Sequence, residues 1–109
     1  MRQVNEYLYE LTPSVFATVF PGHDDLGNGG IIITEEGVIL IDTDVRTVDR
    51  ISGMLRELTD KPVKFLINTH HAFDHSSANC VFAAQGVTIL GSRICRDAMI
   101  EDGELNFRR

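Results

Sequence analysis

Three histidines and an aspartate crowd the run Asn68-Thr69-His70-His71-Ala72-Phe73-Asp74-His75. Imidazole nitrogens and carboxylate oxygens are the donors that zinc and related metals take, so the run reads first as a metal site. In extended backbone, residues two apart share a face, which predicts that His70 and position 72 point together while His71 points away. Position 72 is alanine, which has nothing to donate to a metal. Zinc in such a site would lower the pKa of bound water to about 7 and polarise an oxygen under attack.

The elements that must position this run are legible as periodic segments. Val63 to Ile67 reads as a strand leading directly into it. Upstream, Val4 to Leu11 and Ser14 to Phe20 read as two short strands around Thr12-Pro13, followed by a loop over 21–30. Ile31 to Thr34 and Val38 to Ile41 form a predicted hairpin around Glu35-Glu36-Gly37, whose second strand is continuously apolar and delivers Asp42 to its carboxyl end. From Thr47 to Leu58 the apolar residues Val48, Ile51, Met54, Leu55 and Leu58 fall three and four apart, giving one helical face, and Asp60-Lys61-Pro62 ends the helix. After the run, Ser76 or Ser77 is expected to cap a helix reaching Ala84, with Gly86 as its stop. A strand over Val87 to Leu90 and a helix over Ser92 to Ile100 complete the reading. Alternating strands and helices imply an α/β layered fold with its chemistry at strand carboxyl ends.

The run, met after a strand, resembles the Thr-His-x-His-x-Asp-His signature of the metallo-β-lactamase superfamily, with Ala72 in place of the second motif histidine. Asn28-Gly29-Gly30-Ile31-Ile32-Ile33 and Gly37-Val38-Ile39-Leu40-Ile41-Asp42-Thr43 are similar to the family's early strand pair and its Asp-Thr turn. Asp44 stands where that turn usually has glycine. Asn79 and Phe82 also fall where the family tends to have them. The resemblance implies the N-terminal half of an αβ/βα sandwich, with residues 1–109 forming a single partial domain. It further implies a zinc-dependent hydrolase acting on an ester, thioester, amide or phosphoester of a small-molecule substrate. Carried over by motif position, His70 belongs to a first metal site, Asp74 and His75 to a second. Asp74 also serves as the catalytic group that orients the attacking hydroxide. Asp42 is implied as a support that holds a ligand's ring, since metal-bound histidines need carboxylates or carbonyls behind them. His71 is a poor substitute for the absent histidine, and His23 in the glycine-rich loop is a visitor to the site at most.

Counting donors leaves two readings open. A catalytic zinc usually takes about three protein ligands plus water. The first site keeps only His70 and the second keeps Asp74 and His75, while the family's later ligands lie downstream of Arg109. The alternative is therefore a catalytically inactive relic, or a binding module that pairs with a second copy or a separate C-terminal half across uncovered apolar sheet.

Composition excludes several other classes. A formal charge of -6 with no basic cluster beyond Arg108-Arg109 excludes a nucleic-acid partner. No apolar run approaches the roughly 20 residues of a membrane helix, so no membrane role is expected. The first residues carry no apolar targeting core, which suggests a cytoplasmic protein. Cys80 and Cys95 make no disulfide framework and read as core packing. The stretch Gly27-Asn28-Gly29-Gly30 lacks a phosphate-loop ending and reads as turn geometry. Val38 to Asp44 is also similar to the strand and Asp-x-Asp start of haloacid-dehalogenase-like phosphatases, where Asp42 would be the nucleophile. Arg46 departs from that pattern, and the histidine run goes unused by it.

Overall fold

Seven short β-branched and aromatic stretches form strands in the computed structural model, which describes residues 1–23 and 26–108, with side chains through residue 101. They are β1 (Arg2–Asn5), β2 (Leu8–Thr12), β3 (Val15–Thr18), β4 (Gly29–Ile33), β5 (Val38–Ile41), β6 (Val63–Asn68) and β7 (Thr88–Gly91). All lie in one sheet whose spatial order follows the chain, β1-β2-β3-β4-β5-β6-β7. The first five pair antiparallel, and β5, β6 and β7 run parallel.

The N-terminal stretch departs from expectation, since Val4 to Leu11 is not one strand but parts of two. The Tyr7 amide donates to the Asn5 side-chain oxygen at 2.9 Å, an Asx turn that folds the chain back on itself. That local bond competes successfully with continued extension. At the next reversal, Thr12 Oγ1 accepts from the amides of Ser14 and Val15.

Between β5 and β6 the chain crosses over through a 3-10 turn (Val45–Thr47) and helix α1 (Val48–Leu58). As the spacing predicts, α1 buries Ile51, Met54 and Leu55. They meet a row of side chains paired strand to strand across the sheet, Phe16 with Ile31, Ile31 with Leu40 and Leu40 with Leu66, all buried. Each such side chain contributes about 1.5–3 kcal/mol of burial, making this row the source of the fold's cohesion.

Between β6 and β7 lie two short helices rather than one, α2 (Phe73–Ser76) and α3 (Asn79–Ala84). Neither serine caps a helix. The Ser76 hydroxyl donates back to the carbonyls of His71 and Ala72, and the Ser77 hydroxyl accepts from the Val45 amide at 2.8 Å. Both are committed to holding the loop, and the break falls where the Ala78 amide is drawn to the Thr43 carbonyl. Gly86 then turns the chain at φ 87°. The final helix, α4 (Arg93–Arg108), is longer than the spacing suggested, and Ser92 accepts from the Cys95 amide at its start. Cys95 is buried as expected, whereas Cys80 is exposed because Ala78 and Phe82 take the inward positions around it.

All the helical residues of the core lie on one side of the sheet. The opposite side carries the alternate residues, aligned as Val15, Ile32, Ile39 and Phe65, and as Ala17, Gly30, Ile41, Ile67 and Leu90. Among the described residues nothing covers this apolar face, and Phe65 and Leu90 remain 40% and 43% exposed.

Candidate metal centre

Parallel pairing of β5 with β6 brings their carboxyl ends side by side, and each strand delivers a polar residue there. The Asp42 amide donates to the Ile67 carbonyl at 2.9 Å, so Asp42 starts where the ladder ends. Its backbone sits at φ 53°, a left-handed conformation that aspartate tolerates better than most residues. This geometry turns the carboxylate toward the loop leaving β6. There Oδ1 accepts from the Thr69 amide at 2.8 Å, while Oδ2 accepts from the Thr69 hydroxyl and lies 2.9 Å from His75 Nδ1. Asp42 is 7% exposed and both its oxygens are engaged, which disfavours it as a phosphatase nucleophile.

The backbone around His75 is held as firmly as its ring. Its carbonyl accepts from the Thr43 amide at 3.0 Å and from the Asn68 side chain at 3.3 Å. Asn68 and Asn79 exchange amide hydrogen bonds at 3.1 and 2.6 Å, tying the end of β6 to α3. Carboxylate acceptance fixes the proton of a neutral His75 on Nδ1, so the lone pair of Nε2 points away from Asp42. That nitrogen lies 3.4 Å from Asp74 Oδ2.

His70 and His71 do not alternate as extended backbone would have them. Regular extension stops at Asn68, and the two rings stack with centroids 4.8 Å apart and planes 18° apart. His70 also stands 5.5 Å from the His75 ring, so three imidazoles gather at one place. His70 Nδ1 accepts the Ala72 amide at 3.0 Å. His23 lies exposed in the loop before β4, and Asp24 and Asp25 lie outside the described residues.

Glycines bring that loop onto the site. A Cβ at Gly27 would stand 2.2 Å from the Asp74 carbonyl oxygen, and one at Gly29 would stand 2.5 and 2.6 Å from the carbonyls of Ile41 and Asp42. Only a residue without a side chain permits such approach. Gly29 and Gly30 therefore belong to strand β4 and not to a turn, a role their flanking glycines and asparagine masked in the sequence.

A second carboxylate braces the same loop. Asp44, 1% exposed, accepts from the Arg46 amide and Nε at 2.9 Å and from Nη2 at 2.5 Å. The Arg46 guanidinium in turn lies 5.2 Å from the centre of the Phe73 ring. Burial by itself would raise the Asp44 carboxyl, but the hydrogen bonds and charge of Arg46, with a contribution from Ser77, hold it below its ordinary value of 3.8. A carboxyl depressed in the folded state stabilises the fold above its unfolded value and loses that contribution as pH falls through the folded value. Stability is thus expected to decline below about pH 4. Acid titration followed by thermal unfolding is expected to show that decline diminished in Asp44→Asn.

No protein-family model matches the chain, and no curated protein matches it by sequence. Solved structures do match. It superposes on a metallo-β-lactamase from Hirschia baltica with a TM-score of 0.70 and 23% identity over 88% of this chain and 47% of that one. For the metallo-β-lactamase IND-7 the TM-score is 0.73, with 18% identity over 93% and 50%. For FIM-1 from Pseudomonas aeruginosa, in its mono-zinc form, the values are 0.70 and 19% over 88% and 46%. The chain has the fold of the N-terminal half of a metallo-β-lactamase.

The chain spans about half the length of the solved metallo-β-lactamases it matches. Whether its residues suit the zinc that this fold implies can be judged from the donors themselves. Two ligands at about 2.1 Å from a tetrahedral zinc lie about 3.4 Å apart. The separation of His75 Nε2 and Asp74 Oδ2 is 3.4 Å. A third donor is not assembled with them, for among the described residues no group of three or more His, Cys, Asp or Glu side chains could hold a metal. The residues thus fit half a centre and fall short of the usual three ligands.

Asn68, Ser77 and Arg46 are the site-building residues that sequence reasoning missed. Asn68 and Ser77 act on partners brought to them by the fold, and Arg46 on its near neighbour Asp44, whose burial only the fold decides.

Proposed function

We propose that this chain is the N-terminal half of a zinc-dependent hydrolase. Asp74 and His75 hold the metal, His70 is the donor that the motif assigns to the neighbouring site, and Asp42 keeps the His75 ring aimed. Zinc at this position would supply activated water, which Asp74 would orient toward an ester, thioester, amide or phosphoester of a small-molecule substrate. The observation that carries this reading is the 3.4 Å separation between His75 Nε2 and Asp74 Oδ2, with Asp42 fixing the other ring nitrogen. No described helix is long and apolar enough to cross a membrane.

Calorimetric zinc titration of the whole chain tests it. Saturable uptake of one equivalent is expected, abolished by Asp74→Ala and tightened by Ala72→His, which supplies the motif's absent imidazole. A flat titration for the unaltered protein would remove the zinc assignment.

The uncovered apolar sheet face supports a second reading, a module that acts only when paired with a second copy or a separate C-terminal half. Sheets pack face to face about 10 Å apart, and the aligned rows ending in Phe65 and Leu90 offer such a surface. Light scattering on the same sample distinguishes a self-paired protein from one that requires another chain.

A further inference from the structure

With helices on one side of the sheet only, the chain is a slab 22 Å across its thinnest direction. On the bare side two rows of side chains run from strand to strand, and neither row holds a charge. Their bulk is uneven. One row passes from Ala17 on β3 and Gly30 on β4 to Ile41 on β5, Ile67 on β6 and Leu90 on β7, so it is thin at one end and thick at the other. The second row rises less steeply, from Val15 and Ile32 to Ile39 and Phe65.

Stacked sheets lie about 10 Å apart, and the layer between them fills evenly only where bulk on one side meets a depression on the other. Consider a two-fold axis between two stacked copies, running along the strands and midway between β4 and β5. It lays β5 of each copy over β4 of the other, and β6 over β3. Ile41 of one copy then stands over Gly30 of the other and Ile67 over Ala17, while Phe65 meets Val15 and Ile39 meets Ile32. An axis across the strands sets each strand on its own copy instead, so that thick meets thick and thin meets thin. From this self-complementarity we infer that the bare sheet face is an interface for a second copy of this chain, with β6 of each copy over β3 of the other. The area agrees. The chain exposes 6918 Å² of surface, about 900 Å² more than a folded chain of its mass usually does, and a standard interface takes about 800 Å² from each partner.

This pairing rests on the second reading of the proposed function and calls on no metal. Sedimentation equilibrium of the whole chain, without added metal, is expected to show a dimer and no larger species, because a closed two-fold contact uses up the face. Two size changes then test the register. Ala17→Leu fills the depression under Ile67, and Ile67→Ala removes the bulk that occupies it. Each variant alone is expected to self-associate at least about 25-fold more weakly, about fivefold at each of the two contacts that symmetry repeats. Mixed in equal amounts, the two are expected to dimerise with each other about as tightly as the unaltered chain. In that mixed pair the introduced leucine faces the introduced alanine at one contact, and Ala17 faces Ile67 at the other.

An axis across the strands never brings position 17 of one copy onto position 67 of the other, so mixing would then restore nothing. Absence of rescue, self-association unchanged by Ala17→Leu, or growth beyond a dimer would each overturn the inference, and the broader reading of a paired module would stand. A chain that stays monomeric at high concentration would overturn the inference and the second-copy form of that reading together. Gly30→Val and Ile41→Ala repeat the exchange at the neighbouring contact and decide the question if Ile67→Ala fails to fold. A Cβ at Gly30 meets nothing closer than 3.5 Å within its own chain, so that position accepts a side chain.

Discussion

Asp42→Ala is expected to lower zinc affinity by about 10–100-fold, the usual effect of removing the group behind a metal-bound histidine. The same change is expected to reduce stability by about 2–4 kcal/mol, because a buried carboxylate with three donors is deleted and the Thr69 amide is left without its acceptor. Alanine also tolerates φ 53° less well than aspartate, adding about 1 kcal/mol. Asp42→Asn separates these contributions. Its side chain keeps the shape and the left-handed tolerance but turns one acceptor into a donor facing Thr69 or His75, so it should retain much of the fold and little of the ring orientation. Urea unfolding gives the first quantity and zinc calorimetry the second. A loss under about 0.5 kcal/mol for Asp42→Ala would place this residue among ordinary surface positions and count against the arrangement described.

The second large effect is expected at Phe82. Its ring is 1% exposed and lies in the same core as Ala78, Leu66 and Val87, and its carbonyl accepts from the amides of Gln85, Gly86's neighbour, and Val87. Phe82→Ala deletes a buried ring from α3 at a cost of about 3–5 kcal/mol. Set against a total of about 5–15 kcal/mol for an ordinary domain, that loss threatens the fold itself. Phe82→Leu keeps most of the volume and should cost less than about 1.5 kcal/mol. Thermal unfolding of the two variants should therefore differ widely. Because Asn79 lies on the same short helix and bonds Asn68 at the end of β6, loosening α3 should also broaden the NMR signals of His75. Equal unfolding temperatures for the two variants would show that the ring does not pack as described.

These expectations divide between two kinds of information. Local patterning carried much of the fold: the three-and-four spacing of Ile51, Met54 and Leu55 is satisfied within a few turns of one helix, and α1 formed where that spacing required. The apolar run into Asn68 likewise became β6. The resemblance to half of a layered sandwich also implied uncovered apolar sheet, and Phe65 and Leu90 are exposed there. Where a single hydrogen bond competes with propensity, patterning misleads. The Asn5 side chain splits one expected strand into two, and one expected helix is divided where Ser76 bonds back to His71 and Ala72 and Ser77 accepts the Val45 amide. Propensity sums over many weak preferences, and one local bond of about 1 kcal/mol can reverse the balance at a boundary.

The residue types at the candidate site were therefore evident from the chain alone: which side chains can donate to a metal, and that position 72 has none. What only the tertiary structure decided was their wiring. Asp42 and His75 are 33 residues apart in sequence, and they meet because two parallel strands end side by side. The stacking of His71 on His70, the capture of His70 Nδ1 by the Ala72 amide and the close passage of Gly27 over Asp74 likewise follow from where the chain turns after β6. Donor chemistry is a property of each side chain, but which nitrogen of an imidazole carries its proton depends on the neighbour that folding places against it.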